Sequence, residues 1–117
     1  MTTIEFSYAR YGVRSSKLER IKDLVARALG REFGGHDSEY WDIYYATKGR
    51  EDPSIEIKRN WDFSEKLPHW PQHKEFDIII SVYDAEDYAL IDKALTSDPR
   101  IGATLLEQEN AFPEKAN

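Results

Sequence analysis

The chain has no cysteine. Disulfides, thiolate nucleophiles and cysteine-held zinc are therefore excluded, and the composition fits a reducing compartment. Histidine is scarce, with three in the whole chain. A zinc site would have to gather its ligands from His36, Asp37, His69 and His73 on separate loops. Pro71 lies between His69 and His73 and works against a helical i, i+4 pair. The Gly-x-Ser-x-Gly nucleophile signature is absent, and no carboxylate pair sits in a recognisable catalytic context. Long apolar runs are also missing. Ile78-Ile79-Ile80 is far short of the roughly 20 residues that span a membrane as a helix. After Met1 the chain reads Thr-Thr-Ile-Glu-Phe, without the basic and apolar regions of a signal peptide, so the expected location is the cytoplasm. There is no internal repeat and no low-complexity tract.

What is present is a length of 117 residues. One domain is expected, able to bury roughly two thirds of its unfolded surface. The net charge is −6 and is unevenly distributed. Residues 1–31 carry seven Lys/Arg and three Asp/Glu, whereas residues 32–117 carry nine and nineteen. The acidic remainder repels phosphates and favours a basic partner.

Hydrophobic periodicity predicts the elements. Ile4 to Tyr11 alternates as a half-buried strand, with Ile4, Phe6 and Tyr8 on one face. Ser16 and Glu19 have capping-box spacing ahead of a helix whose apolar stripe is Leu18, Ile21, Leu24, Val25, Ala28 and Leu29. Gly30 is its stop. Residues 31–39, with Gly34-Gly35, read as a loop. Residues 40–47 form the densest aromatic run and the clearest strand. Alternation puts Trp41, Ile43 and Tyr45 on a core side and Tyr40, Asp42 and Tyr44 on an outward side.

Ser54 to Trp61 is a second alternating strand, with Ile55 and Ile57 inward and Glu56, Lys58 and Asn60 outward; it pairs with the first as a hairpin. Pro68 and Pro71 keep residues 62–75 irregular. A loop of that length is often functional. A buried strand over 76–83 follows, with Phe76, Ile78, Ile80 and Val82 on one face. Then come a helix capped by Asp84 and stopped at Asp98-Pro99, and a strand over 101–107. The expected domain is 1–107, with 108–117 a polar tail. The order β-α-β-β-β-α-β predicts an α+β, ferredoxin-like sandwich with a mostly antiparallel sheet and two helices on one face.

An open ferredoxin-like sheet with aromatics is also how RNA-recognition modules stack bases. Here the outward tyrosines sit beside Asp37, Glu39 and Asp42, which argues against nucleic acid. Protein recognition fits better, because binding hot spots favour Trp and Tyr ringed by polar residues. The candidate partner-binding residues are Asp37, Glu39, Tyr40, Asp42, Tyr44, Asp62, Glu65 and Trp70. The stretches Glu39-Tyr40-Trp41-Asp42 and Trp61-Asp62-Phe63-Ser64-Glu65, in a cysteine-free acidic domain, give the chain its character. In that character it resembles the small immunity proteins of bacterial toxin–immunity pairs, including those of contact-dependent growth inhibition.

The resemblance implies a non-enzymatic, cofactor-free inhibitor of a cognate toxin domain, frequently a basic nuclease. It assigns no residue roles, since such families share no common motif. The basic first helix departs from a uniformly acidic immunity protein. The alternative is a small-molecule-binding or enzymatic ferredoxin-like domain, dimeric through its open sheet face, with a pocket of Tyr40, Tyr44, Ile79 and a histidine. A purely structural subunit is a third reading.

Overall fold

The computed structural model describes residues 7–38, 42–48 and 54–112. They form an α+β domain of six strands and two helices. In chain order these are β1 (Tyr8–Val13), α1 (Leu18–Leu29), β2 (Phe33–Ser38), β3 (Asp42–Thr47) and β4 (Ser54–Arg59). A short 3-10 turn (Pro71–His73) is followed by β5 (Ile78–Tyr83), α2 (Tyr88–Ser97) and β6 (Thr104–Glu109). The strands make one antiparallel sheet in the order β2-β3-β4-β5-β1-β6.

Strand periodicity sorts the sheet into two faces. Ala9, Tyr11 and Val13 of β1 stand opposite Val82, Ile80 and Ile78 of β5, which in turn face Ile55 and Ile57 of β4. All are buried in one cluster with Leu18, Ile21, Leu24 and Val25 of α1 and Tyr88, Ile91 and Leu95 of α2. The two helices touch each other, α1 reaching β4 and α2 reaching β6. The opposite face carries Tyr8, Arg10 and Gly12 against Tyr83, Ser81 and Ile79, and continues through Glu56, Lys58 and Tyr44.

Several sequence expectations are corrected. Residues 33–38 are a strand, not a loop, because β3 offers them a full antiparallel ladder from Phe33↔Thr47 to Ser38↔Asp42. The first strand lies later than expected, and its core face is Ala9, Tyr11 and Val13, with Tyr8 on the other side. Ile4 and Phe6 fall outside the described residues.

The Ser16–Glu19 capping box does not form. Lys17 is the N-cap without a side-chain bond, and its N–H takes a hydrogen bond to Ser15 Oγ at 3.2 Å. Asp84 does not cap α2, which starts four residues later behind Asp87. Asp84 adopts φ 50° and accepts the Ser7 N–H at 3.1 Å, tying the lead into β1 to the end of β5. Gly30 does stop α1, in the left-handed conformation, its N–H bonding to Ala26.

Phe76 is buried as expected, but it precedes β5 and covers the face away from the helices, against Gly12. The last strand starts at Thr104, because Asp98 turns the chain first. Its carbonyl accepts the N–H groups of Ile101 and Gly102, and its carboxylate accepts that of Arg100. The chain remains packed through Phe112, whose ring lies 5.8 Å from that of Tyr88.

One close approach sets the packing of the second face. A β-carbon added at Gly12 would fall 2.4 Å from the nearest Phe76 ring atom. Gly12→Ala is therefore expected to destabilise the fold by about 1–3 kcal/mol. In a Phe76→Ala background the same change should cost far less. Urea unfolding of the two single variants and the double variant reads this coupling.

Candidate functional site

The long proline-containing segment after β4 is built on one side chain, Asn60. It is buried at 6 % exposure, although alternation predicted it outward. Its amide nitrogen donates to the carbonyls of Trp70 (3.2 Å) and His73 (3.0 Å). Its amide oxygen accepts the Trp70 N–H at 2.8 Å, and its own backbone N–H bonds to Asp77 at 2.8 Å. Each polar atom of the amide is used, which turns an irregular segment into a fixed one.

Trp70 is thereby held over the sheet. The Arg10 guanidinium lies 5.6 Å from its ring centroid and 4.4 Å from that of Tyr8. Arg10 also pairs with Glu107, its cross-strand neighbour on β6. His73 Nε2 lies 3.3 Å from the other oxygen of the same carboxylate. Burial alone would raise the Glu107 carboxyl. The bonds from His73 and Arg10 outweigh it and hold the group below the usual carboxylate range. Burial likewise opposes charge on Arg10, while Glu107 and Tyr83 raise its affinity for the proton. Ser81 Oγ, directly across from Arg10, is buried without a hydrogen-bond partner. On the helix side, burial pushes the Tyr11 phenol up, helped by its 2.9 Å bond to Asp92.

Ahead of Trp70, residues 61–67 form a tight turn. The Asp62 carboxylate accepts the N–H groups of Ser64 (2.9 Å) and Glu65 (3.0 Å). The backbone of Asp62 bridges Leu67, and Lys66 takes φ 59°. The turn thus projects Trp61, Phe63 and Leu67 outward, at 40 %, 41 % and 48 % exposure. β4 leaves the sheet where β2 ends and β3 begins. Ile43, at 49 % exposure, lies at this same end.

Four of the five exposed large apolar side chains among the described residues thus share one end of the sheet. The fifth, Leu90, is on α2. A cleft of about 380 Å³ opens there, lined by Ser16, Arg59, Asn60, Trp61, Phe63, Pro68, Lys74 and Asp77.

The sequence-predicted site residues are only partly brought together. Asp37, Asp42 and Glu65 are exposed at this end. The sheet separates them, however. Asp37 stands beside Ile43 on the helix-side face, whereas Asp42 and Tyr44 are on the other. Tyr44 stacks on His36 at 5.2 Å and lies under Lys58 Nζ at 5.4 Å. Asp62 shapes its turn, and Trp70 covers Arg10. Glu39, Tyr40 and Trp41 lie outside the described residues. Of the expected core side of β3, Tyr45 packs on the core while Ile43 is half-exposed. His36, Tyr44, Lys58 and Ile79 fall in one cross-strand row, and Ile79 is buried within it.

Among the described residues, no three His, Asp or Glu gather so as to hold a metal ion. No described helix is long and apolar enough to cross a membrane. Sequence reasoning missed Asn60, Arg10 and Glu107. The available signal was a lone arginine between Tyr8 and Tyr11 in a strand, which needs a carboxylate or aromatic partner.

Two outcomes follow from these contacts. Asn60→Ala removes the acceptor that its amide offers the Trp70 N–H, and one of the two donors to each of the Trp70 and His73 carbonyls, so a loss of about 1–3 kcal/mol is expected. Faster amide exchange confined to residues 61–76 would locate the effect. Because the folded Glu107 carboxyl is depressed, its stabilising contribution is complete above the unfolded value of about 4.3 and is lost as pH falls through the lower folded value. The stability gap between the protein and Glu107→Gln should therefore be full at about pH 7 and close toward about pH 3, as read by thermal melts.

Compared with known proteins, the sequence matches no family model and no curated protein.

Proposed function

We propose that this protein is a non-enzymatic inhibitor of the immunity type, which neutralises a basic toxin domain by binding it at the β2–β3 end of the sheet. The observation that carries this reading is the turn that exposes Trp61, Phe63 and Leu67 where β4 leaves the sheet, with Ile43 exposed on the helix-side face of the same end. A folded domain gains nothing from leaving four large apolar side chains in water, whereas such a patch with a polar rim suits a protein interface. Asp37, Asp42 and Glu65 are exposed at the same end, Asp37 and Asp42 on opposite faces of the sheet. The cleft itself is lined by the cations Arg59 and Lys74 together with Asp77. A cationic partner surface would be steered there by the net charge of −6 and held by the apolar patch.

The strand order supports a ferredoxin-like core of β6, β1, β5 and β4, with β2–β3 added as a hairpin beyond it. In this reading the added hairpin is what the split β-α-β plan gains for binding. The cysteine-free composition supports a cytoplasmic site of action.

The test starts from the genes flanking this one: any that encodes a basic toxin domain is co-expressed with this chain, and the purified pair is titrated. Growth arrest should be relieved. Trp61→Ser with Phe63→Ser should weaken binding by at least tenfold with little change in melting temperature. Glu65→Lys should slow association, most at low salt. Asp62 is unsuitable for charge reversal because its carboxylate builds the turn. No binding and no rescue would overturn the reading.

A further inference from the structure

The strand that the sequence hides, β2, is an edge, and the two edges of this sheet differ. β6 is blunted. It carries Glu107 and Glu109, and its pairing with β1 is broken by a register shift between Arg10 and Tyr11. Charges and bulges of this kind are how sheets discourage a further strand. β2 has neither. Its six residues, Phe33-Gly34-Gly35-His36-Asp37-Ser38, pair with β3 in unbroken register and include no proline, lysine or arginine. Among the described residues no strand lies on its outer side.

The phase of the ladder says which groups face out. The Lys48 N–H bonds to the Glu32 carbonyl at 3.1 Å, one position before the Phe33↔Thr47 pair. Hydrogen-bonded and non-hydrogen-bonded pairs alternate in an antiparallel ladder. Gly34 and His36 therefore bond to β3, and the N–H and C=O groups of Phe33, Gly35 and Asp37 point to the open edge.

The two glycines have no internal reason to be glycine. Neither has a positive φ, and a β-carbon would meet only Lys48 at 3.4 Å for Gly34 and Tyr45 at 3.5 Å for Gly35, both ordinary contacts. Glycine within a strand weakens it, and it commonly marks a place where another backbone comes close.

We propose that the outer edge of β2 receives an extended, cationic strand of the partner protein, which pairs with the outward groups of Phe33, Gly35 and Asp37 as a seventh strand of the sheet. This mode of recognition takes its affinity from main-chain hydrogen bonds and its selectivity from alternate side chains. Charge decides the occupant. Glu32 and Asp37 are exposed along the edge and Asp42 at its end. A second copy of this chain would set acid against acid, each copy carrying −6. A lysine- or arginine-bearing strand meets them with opposite sign. The proposal rests on the protein-binding reading above and specifies how the partner docks.

The test uses the full chain with a basic toxin domain found by that flanking-gene co-expression. Gly35→Pro removes an outward donor while leaving the bonds to β3 intact, a place where an edge strand tolerates proline. Binding should weaken at least tenfold with little change in melting temperature. Independently, in the unaltered protein, the amides of Phe33, Gly35 and Asp37 should exchange more slowly in the complex than free. If the complex forms with these amides unprotected and Gly35→Pro binds as tightly, the strand proposal is wrong while the inhibitor reading stands. If nothing binds, both fall. A concentration-dependent dimer of the free chain that Gly35→Pro abolishes would make a second copy the occupant and overturn the cationic-partner assignment.

Discussion

The amide of Asn60 is the contact on which the second face of this domain depends. The hydrophobic cluster between the helices and the sheet would form from periodicity alone. Among the described residues no helix covers the other face. Its cover is the segment 61–76, which contains Pro68 and Pro71 and, besides the 61–67 turn and the 3-10 turn at 71–73, no regular structure. Such a segment can lie against a sheet only if its backbone groups are satisfied. Asn60 does this at three points at once. The positions of Trp70 over Arg10 and of Phe76 over Gly12 follow from it, as does the outward presentation of Trp61, Phe63 and Leu67.

Arg10 and Glu107 show the same economy from the sheet side. A part-buried arginine such as Arg10 needs a partner for its charge. Here the pair is formed across adjacent strands, with His73 on the far oxygen and aromatic rings on the guanidinium. The cluster joins β1, β6 and the covering segment. Its polarity serves the fold, while exposed apolar side chains and carboxylates lie toward the β2–β3 end of the sheet.

The binding reading and the strand reading share one structural cause. The hairpin β2–β3 extends beyond the strands that the helices cover. Ile43 is therefore half-exposed in a strand whose Tyr45 is packed, and among the described residues no strand pairs with the outer side of β2. Both an apolar patch and an open edge are costs for an isolated domain and assets for one that meets a partner.

The sequence by itself determined what depends on period and local chemistry. The face assignments of Ile55, Ile57, Ile78, Ile80 and Val82, the α1 stripe of Leu18, Ile21, Leu24 and Val25 (Ala28, expected in it, is exposed), its Gly30 stop and the β3–β4 pairing are readable, because apolar spacing of 2 or 3.6 residues forces them. Only the tertiary structure decided that Phe33-Gly34-Gly35-His36-Asp37-Ser38 is a strand. Two glycines and three polar residues have weak strand preference, and it is the ladder offered by β3 that overrides it. The tertiary structure also set Asn60 inward, since alternation cannot foresee a segment ten residues later needing its amide. It split Asp37 from Asp42 and Tyr44 for a similar reason. Nearness in sequence does not fix which face of a sheet a residue occupies. Strand pairing does.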